Sequence, residues 1–135
     1  MKKQIIPLSI LLVSCFALLS FTIITTSVQD PWEVPAKYEK MENPLVDDAD
    51  AENIGRSLYS KHCKSCHGSK GRGDGSKADT VDTEIGDFTE DGFKAQSDGS
   101  LYYKTFIGKD DMPSFEKKIK DEDGKWLLVN YIKKF

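Results

Sequence analysis

The chain has 135 residues and a net charge of −3 at pH 7. This length allows one small domain besides any leader. The acidic balance argues against nucleic acid as a partner, because nucleic-acid binding requires a basic surface. The balance becomes more acidic if Lys2 and Lys3 are removed with a leader, since 17 basic residues then remain against 22 acidic ones.

Residues 1–28 form a candidate signal peptide or membrane anchor. Lys2 and Lys3 precede an uncharged stretch from Ile5 to Val28, which as a helix could span about 36 Å and cross a bilayer. Positive residues before this stretch and an acidic body after it place the body outside the cytoplasm. Three fates remain open: a retained anchor, which the length favours, a cleaved signal peptide, or a chain lipidated at Cys15, where four residues resemble a lipobox.

Residues 29–50 have the composition of a tether. Three prolines disfavour helix at the neighbouring positions, and three aspartates keep the end of the segment solvated. Four of its apolar residues are unusual for a free linker: Trp32, Val34, Tyr38 and Met41. They either dock onto the domain that follows or bind another protein, and we favour docking in a complex.

Residues 51–135 form the predicted domain, which begins with a helix. Asp50 can cap this helix, in which Gly55 and Tyr59 share one face. Two more helices are predicted, one from Ser97-Asp98 and one from the region of Asp121 to Asp123. Several glycines after residue 67 break regular structure and allow a loop to run close to a flat ligand.

The run Cys63-Lys64-Ser65-Cys66-His67 follows the first predicted helix. Two thiols three positions apart on a helical turn can both add to the vinyl groups of one haem. The next residue can give a ring nitrogen to the haem iron. The run therefore predicts covalent haem attachment at Cys63 and Cys66, with His67 as an axial ligand.

Two other interpretations of this run are weaker. A structural zinc site needs four ligands, usually as two separated pairs, and the further candidates are His62 on the same turn and Cys15 far upstream. A redox-active dithiol needs a flanking βαβ pattern, and the sequence around Cys63 shows no such alternation.

Three separated pieces of the chain match one known family. The pieces are Gly55-x-x-x-Tyr59 before Cys63-x-x-Cys66-His67-Gly68, then Asp111-Met112-Pro113-Ser114-Phe115, and last Trp126-x-x-Val129-x-Tyr131-Ile132. Over residues 51–135 the chain resembles a class I cytochrome c of the small bacterial monohaem kind. The resemblance implies an all-α fold, with three to four helices wrapped around one covalently bound haem c. It also implies that the first and last helices cross at Gly55, with Gly55 and Tyr59 against Trp126 or Tyr131.

The resemblance further suggests the remaining site residues. Met112 lies in the piece that is similar to the family's distal methionine loop, stiffened by Pro113, and is the expected second axial ligand. His67 is expected to donate its other ring N–H to a backbone carbonyl, for which the sequence indicates no specific acceptor. Arg72, inside the glycine-rich loop, either pairs with a haem propionate or is a solvated loop charge.

The function implied by this resemblance is one-electron transfer through a His/Met-ligated haem c, not enzymatic catalysis. The expected location is the periplasmic side of a bacterial membrane, with the domain tethered by its N-terminal segment as an electron relay or complex subunit. The implied partners are a quinol-oxidising complex and a terminal oxidase. The alternative is a haem enzyme or gas sensor in which Met112 is unligated. A group of lysines either steers an acidic partner or forms a solvated face: Lys104, Lys109, Lys117, Lys118 and Lys120.

Overall fold

The structure, a computed structural model, describes residues 32–135. The expectations for residues 1–28, including the anchor and the lipidation of Cys15, lie outside the described residues. The α-helices are α1 (Ala36–Glu39), α2 (Ile54–His62), α3 (Lys64–His67), α4 (Asp91–Lys94), α5 (Asp98–Ile107) and α6 (Glu122–Ile132), with 3-10 turns at Ala49–Glu52 and Ala78–Thr80. This part of the chain contains no β-strand, and the predicted all-α fold is confirmed.

None of the helices within residues 32–135 combines the length and the apolar character needed to cross a membrane.

The starts of α5 and α6 are set by local capping. Ser97 accepts a hydrogen bond from the backbone N–H of Ser100 at 3.1 Å, and Asp121 accepts one from that of Gly124 at 2.9 Å. Each bond satisfies a backbone donor that the first turn of a helix leaves unpaired. The predicted starts of both helices are confirmed.

The start of α2 differs from the prediction. Asp48 caps the 3-10 turn that precedes α2, where it accepts a hydrogen bond from the backbone N–H of Asp50 at 2.8 Å. Asp50 itself lies inside the 3-10 turn that precedes α2, and α2 follows Asn53 without a side-chain cap. The prediction of Asp50 as the cap of this helix is wrong, because Asp50 is part of an additional 3-10 turn that precedes α2.

Helices α2 and α6 form the most extensive helix contact of the described chain. They cross at Gly55, where a Cβ atom would lie 2.9 Å from the carbonyl carbon of Leu127 and 2.9 Å from Cβ of Tyr131. The rings of Tyr59 and Tyr131 are 5.5 Å apart. The expected crossing at Gly55 is confirmed, with Tyr131 as the aromatic partner of Tyr59. The ring of Trp126 lies instead 4.6 Å from that of Tyr102.

Replacing Gly55 with alanine is expected to destabilise the holoprotein by about 1–3 kcal/mol, the usual cost of forcing an extra carbon into a packed contact. The added Cβ would meet backbone atoms of α6, which cannot rotate away as a flexible side chain can. Urea unfolding followed by circular dichroism measures the change. Gly92→Ala in α4 is the matched control, because no atom lies within 4 Å of a Cβ at that position. Equal stability of the two variants would contradict the close crossing.

The described part of the expected tether lies against the domain. Tyr38 and Met41 pack against the hydrophobic core, so these two apolar residues dock onto the domain itself. Asn43 donates hydrogen bonds to Asp98 at 2.8 Å and to Asn130 at 2.6 Å. The segment is therefore bound to both α5 and α6 by polar as well as apolar contacts.

The core is formed mainly by α2, α5 and α6. Its largest fully buried side chains are those of Tyr59, Leu101, Phe106, Leu128 and Val129. Cys63, directly after α2, belongs to the same cluster of buried residues. The packing of α2 against α6 therefore fixes where the Cys-x-x-Cys-His turn lies.

Candidate functional site

The two cysteines and the histidine lie on one helical turn. The carbonyl oxygen of Cys63 accepts hydrogen bonds from the backbone N–H groups of Cys66, at 3.1 Å, and His67, at 3.0 Å. Both thiols are free, with Cys63 buried and Cys66 half-buried. Burial raises the pKa of the Cys63 thiol to about 12, and the nearby Cys66 adds a smaller effect in the same direction. The turn therefore presents two free thiols three positions apart, as predicted from their spacing.

The glycine-rich loop, which contains Gly68, Gly71, Gly73 and Gly75, folds back over this turn. Three backbone hydrogen bonds hold it there: Gly73 N–H to His67 O at 3.0 Å, Gly75 N–H to Cys66 O at 3.0 Å, and Lys77 N–H to Ser65 O at 2.8 Å. A Cβ atom at position 75 would lie 2.6 Å from the carbonyl oxygen of Cys66. A glycine is needed there because no side chain fits between loop and turn.

Tyr59 connects the buried face of α2 to the end of the turn. Its hydroxyl donates a hydrogen bond to the carbonyl oxygen of Gly68 at 2.6 Å. Burial raises the pKa of this phenol well above its usual range, so it stays a hydrogen-bond donor. Its ring is held between Tyr131, at 5.5 Å, and Phe135, at 5.0 Å. The residue that follows His67 is therefore fixed by the core of the domain.

The imidazole of His67 is half-buried beneath an aromatic ring. Phe88 stacks on it with ring centroids 4.5 Å apart, and the backbone N–H of Phe88 donates to the carbonyl oxygen of Gly71 at 2.7 Å. Burial lowers the pKa of His67 to about 4, which keeps the ring neutral at pH 7. Its Nδ1 atom is buried without a hydrogen-bond partner among residues 32–135. The expected backbone acceptor for the second ring N–H is therefore not found in this part of the chain.

Met112 lies in a loop whose backbone is held by short-range bonds. Lys109 and Met112 exchange two backbone hydrogen bonds, at 3.0 and 2.9 Å. The hydroxyl of Ser114 donates to the carbonyl oxygen of Phe106, at the end of α5, at 2.6 Å. The Met112 side chain is half-buried and packs against the cluster that contains Cys63. The fold thus brings this loop to the same apolar region as the turn of residues 63–67, which we call the attachment turn.

Asp111 ties this loop to a distant segment. One oxygen of its carboxylate accepts bonds from the hydroxyl and the backbone N–H of Thr83 and from the backbone N–H of Asp82. The hydrogen bonds from Thr83 hold the pKa of Asp111 below its usual range. The carboxylate is therefore ionised at neutral pH and engaged in these bonds.

The remaining predicted residues lie at the surface or partly buried. Arg72 is exposed, and its charge makes a small contribution to the lowered pKa of Asp87, which is caused mainly by hydrogen bonds from Thr89. Lys104 donates to the side chain of Gln96 at 2.6 Å and lies over the ring of Trp32. Lys104 therefore contacts the segment that precedes the domain. Three other lysines of the predicted group are exposed: Lys117, Lys118 and Lys120.

No role in the site is predicted from the sequence for two residues, Phe88 and Asp111. Phe88 lies in a segment without helical or strand periodicity, so no pattern indicates that it covers His67. Asp111 lies in the motif around Met112, but nothing in the neighbouring sequence indicates a partner at positions 82–83. For Phe88, the one available signal is a second aromatic residue five positions later. The two rings, those of Phe88 and Phe93, stack with their centroids 4.4 Å apart.

These residues fit a covalently attached haem. Two free thiols on one turn match the two vinyl groups, and a neutral imidazole next to them is the form that binds iron. A thioether packs against the same apolar cluster. Backbone bonds from the glycine-rich loop hold the turn, so the site is positioned by the fold.

Comparison with known proteins agrees with this chemistry. The family described as cytochrome c oxidase, cbb3-type, subunit III matches residues 50–132, more than half of the chain. No curated protein matches. Among solved structures, a chain of the Kuenenia stuttgartiensis reducing HAO-like protein complex Kustc0457/Kustc0458 is similar at 27% identity and a TM-score of 0.59, covering 78% of this chain and 50% of that one. The c-type cytochrome KustC0563 is similar at 28% identity and a TM-score of 0.51, covering 60% of this chain and 95% of that one.

The match to the family extends over the attachment turn, the Met112 loop and all of α6. The chain spans half the length of the first similar structure and nearly the whole length of the second. The chain therefore belongs to the family of the cbb3-type cytochrome c oxidase subunit III, and it is a c-type cytochrome with covalently bound haem c.

Proposed function

We propose that this cytochrome is a one-electron carrier whose haem is attached to Cys63 and Cys66 and whose iron is held by His67 and Met112. The observation that carries the proposal is the arrangement of these four residues. Three lie on one turn that the glycine-rich loop holds in place, and Met112 packs against the cluster to which Cys63 belongs. With both axial positions taken by protein atoms, no position is left for a substrate, and electron transfer is the function that fits.

Haem c, when bound, supplies an iron that changes its oxidation state by one electron. The residues of this chain set how readily it does so. The thioether of Met112 is a soft ligand that favours the ferrous state and raises the reduction potential. The apolar rings of Phe88 and Phe115, both at least nine-tenths buried, keep water away from the site, which disfavours the more highly charged ferric state.

The proposed location is the periplasmic side of a bacterial membrane, where residues 1–28 act as an anchor and the domain works as a relay or subunit of a respiratory complex. The uncharged stretch from Ile5 to Val28 supports an anchor. The similarity to a chain of a protein complex supports a role as a subunit. A quinol-oxidising complex is the proposed electron donor and a terminal oxidase the proposed acceptor. Arg72, exposed in the glycine-rich loop, is proposed to pair with a haem propionate.

The proposal is tested on the full-length protein purified from membranes. The pigment is expected to stay with the polypeptide in acidified organic solvent, because thioether bonds survive denaturation. A spectroscopic redox titration is expected to show a single one-electron transition. The reduced protein is expected not to bind carbon monoxide at neutral pH, because Met112 occupies the position that the gas would take.

Two results would contradict this function. Extraction of the pigment into the solvent would exclude covalent attachment at the cysteines. Rapid binding of carbon monoxide or nitric oxide to the reduced protein would indicate an open iron position and would favour a haem enzyme or gas sensor in which Met112 is not a ligand.

A further inference from the structure

The loop that carries Met112 is held by two kinds of hydrogen bond. The bonds of Lys109, Met112 and Ser114 join residues that are close in the sequence. The bonds of Asp111 are different, because they reach residues 28 and 29 positions earlier in the chain. Their lengths are 2.7 Å from the Thr83 hydroxyl, 2.9 Å from the Thr83 N–H and 3.0 Å from the Asp82 N–H. All three donors point to the same carboxylate oxygen, Oδ2.

Asp111 binds the middle of the segment of residues 77–88, and both ends of that segment contact the attachment turn. At its start, the backbone N–H of Lys77 donates to the carbonyl oxygen of Ser65 on the attachment turn at 2.8 Å. At its end, Phe88 stacks on His67. Residues 77–88 thus form a bridge whose first residue contacts the backbone of Ser65 and whose last residue contacts the imidazole of His67. Asp111, the residue directly before Met112, binds the middle of this bridge.

We propose that Asp111 is a positioning residue that ties the Met112 loop to the 77–88 bridge and so limits the opening of the loop away from the iron. The proposal rests on the proposed function, in that Met112 is the iron ligand. A thioether is a weak ligand, and it stays bound mainly because the chain holds it in place. Movement of the Met112 loop away from the bridge breaks all three bonds to Asp111, since they share one acceptor atom.

The direct readout is the rate at which free imidazole replaces Met112 in the ferric protein, because replacement requires the loop to open. Three bonds to one ionised carboxylate at the surface are together expected to shift the equilibrium between closed and open loop roughly tenfold. Asp111→Ala removes the acceptor, and the rate of imidazole binding should rise on the order of tenfold. Asp111→Asn keeps one acceptor oxygen without the charge and should give a smaller rise.

Two further variants separate positioning from general effects. Asp110→Asn removes a negative charge from the same loop. The Asp110 side chain pairs with Lys109 at 4.0 Å and not with the bridge. The rate of imidazole binding to this variant should stay within about twofold of the wild type. Thr83→Val removes one of the three donors and leaves the backbone N–H, so it should raise the rate less than Asp111→Ala. If Asp111→Ala cannot be recovered with haem attached, Thr83→Val carries the same test. Combining Thr83→Val with Asp111→Ala should add nothing to the single Asp111→Ala effect.

The measurement is stopped-flow absorbance of the ferric holoprotein mixed with imidazole, together with the weak far-red absorption band of methionine-ligated ferric haem. Equal rates for Asp111→Ala, Asp110→Asn and the wild type would overturn the positioning role, while the band and its loss in Met112→Ala would still support methionine ligation. Absence of the band from the wild type, with an unchanged imidazole rate in Met112→Ala, would overturn the ligation and the positioning role together. A merely structural role would lower the thermal stability of Asp111→Ala without a matching rise in rate.

Discussion

Met112→Ala is expected to open the iron to external ligands and to lower the reduction potential on the order of 0.1 V or more, within the roughly 0.8 V that axial ligands span. Loss of the thioether removes the soft ligand that favours ferrous iron. Alanine cannot replace it, and the half-buried position of Met112 leaves space for a small molecule. The reduced variant should bind carbon monoxide, which the wild type should not.

Redox titration and the visible spectrum with and without carbon monoxide measure both effects. Met41→Ala is the matched control, because this second methionine is also half-buried and packs against the core. It should weaken the docking of the N-terminal segment and leave the potential unchanged. A Met112→Ala protein with the potential and spectrum of the wild type would exclude Met112 from the ligand set.

The parts of this protein that could be predicted are those governed by local chemistry. Ser97 and Asp121 cap their helices through bonds to the third residue beyond each, which is a pattern that the sequence alone contains. The attachment turn is equally local, since Cys63, Cys66 and His67 are brought together by one turn of helix. Such features need no knowledge of the rest of the chain.

The parts that could not be predicted depend on contacts between distant segments without a periodic pattern. Asn43 binds Asp98 and Asn130, which are 55 and 87 positions later. A single polar residue near a proline looks the same in a free linker as in a docked one. The composition of residues 29–50 therefore predicts a tether, although its apolar residues indicate that it has a partner.

The stacking of Phe88 on His67 is another contact between distant segments that the sequence does not indicate. The 77–88 bridge consists of one short 3-10 turn and irregular chain. Its position is set by backbone bonds at its two ends, by the bonds to Asp111 in its middle and by one stacked ring. Phe88 is buried there because the glycine-rich loop lets its N–H reach the carbonyl oxygen of Gly71. A loop of this kind is specified by its partners on the folded domain, so its sequence alone does not predict the path that it takes.

The double substitution Cys63→Ser with Cys66→Ser is expected to abolish haem attachment and most of the helical structure with it. A domain of this size has a marginal core of its own, and a bound haem supplies a large apolar surface for the surrounding helices. Cys63 belongs to the buried cluster that also contains Phe88 and Phe115. Without the cofactor, these side chains lose the apolar partner against which they are expected to pack, and much of the free energy of folding is lost with it.

Two measurements on the same purified sample test this coupling of attachment and folding: retention of pigment by the polypeptide in acidified organic solvent, and the far-ultraviolet circular dichroism signal. Ser65→Ala is the matched control, because it changes an exposed side chain on the same turn and leaves both thiols in place; it should keep both signals. A double variant without pigment but with the full helical signal would show that the polypeptide core is sufficient for folding. Pigment that stayed attached in the double variant would place the thioether bonds elsewhere, since Cys63 and Cys66 are the two cysteines of the described chain. The two readouts therefore separate the question of where haem is attached from the question of whether the domain needs it to fold.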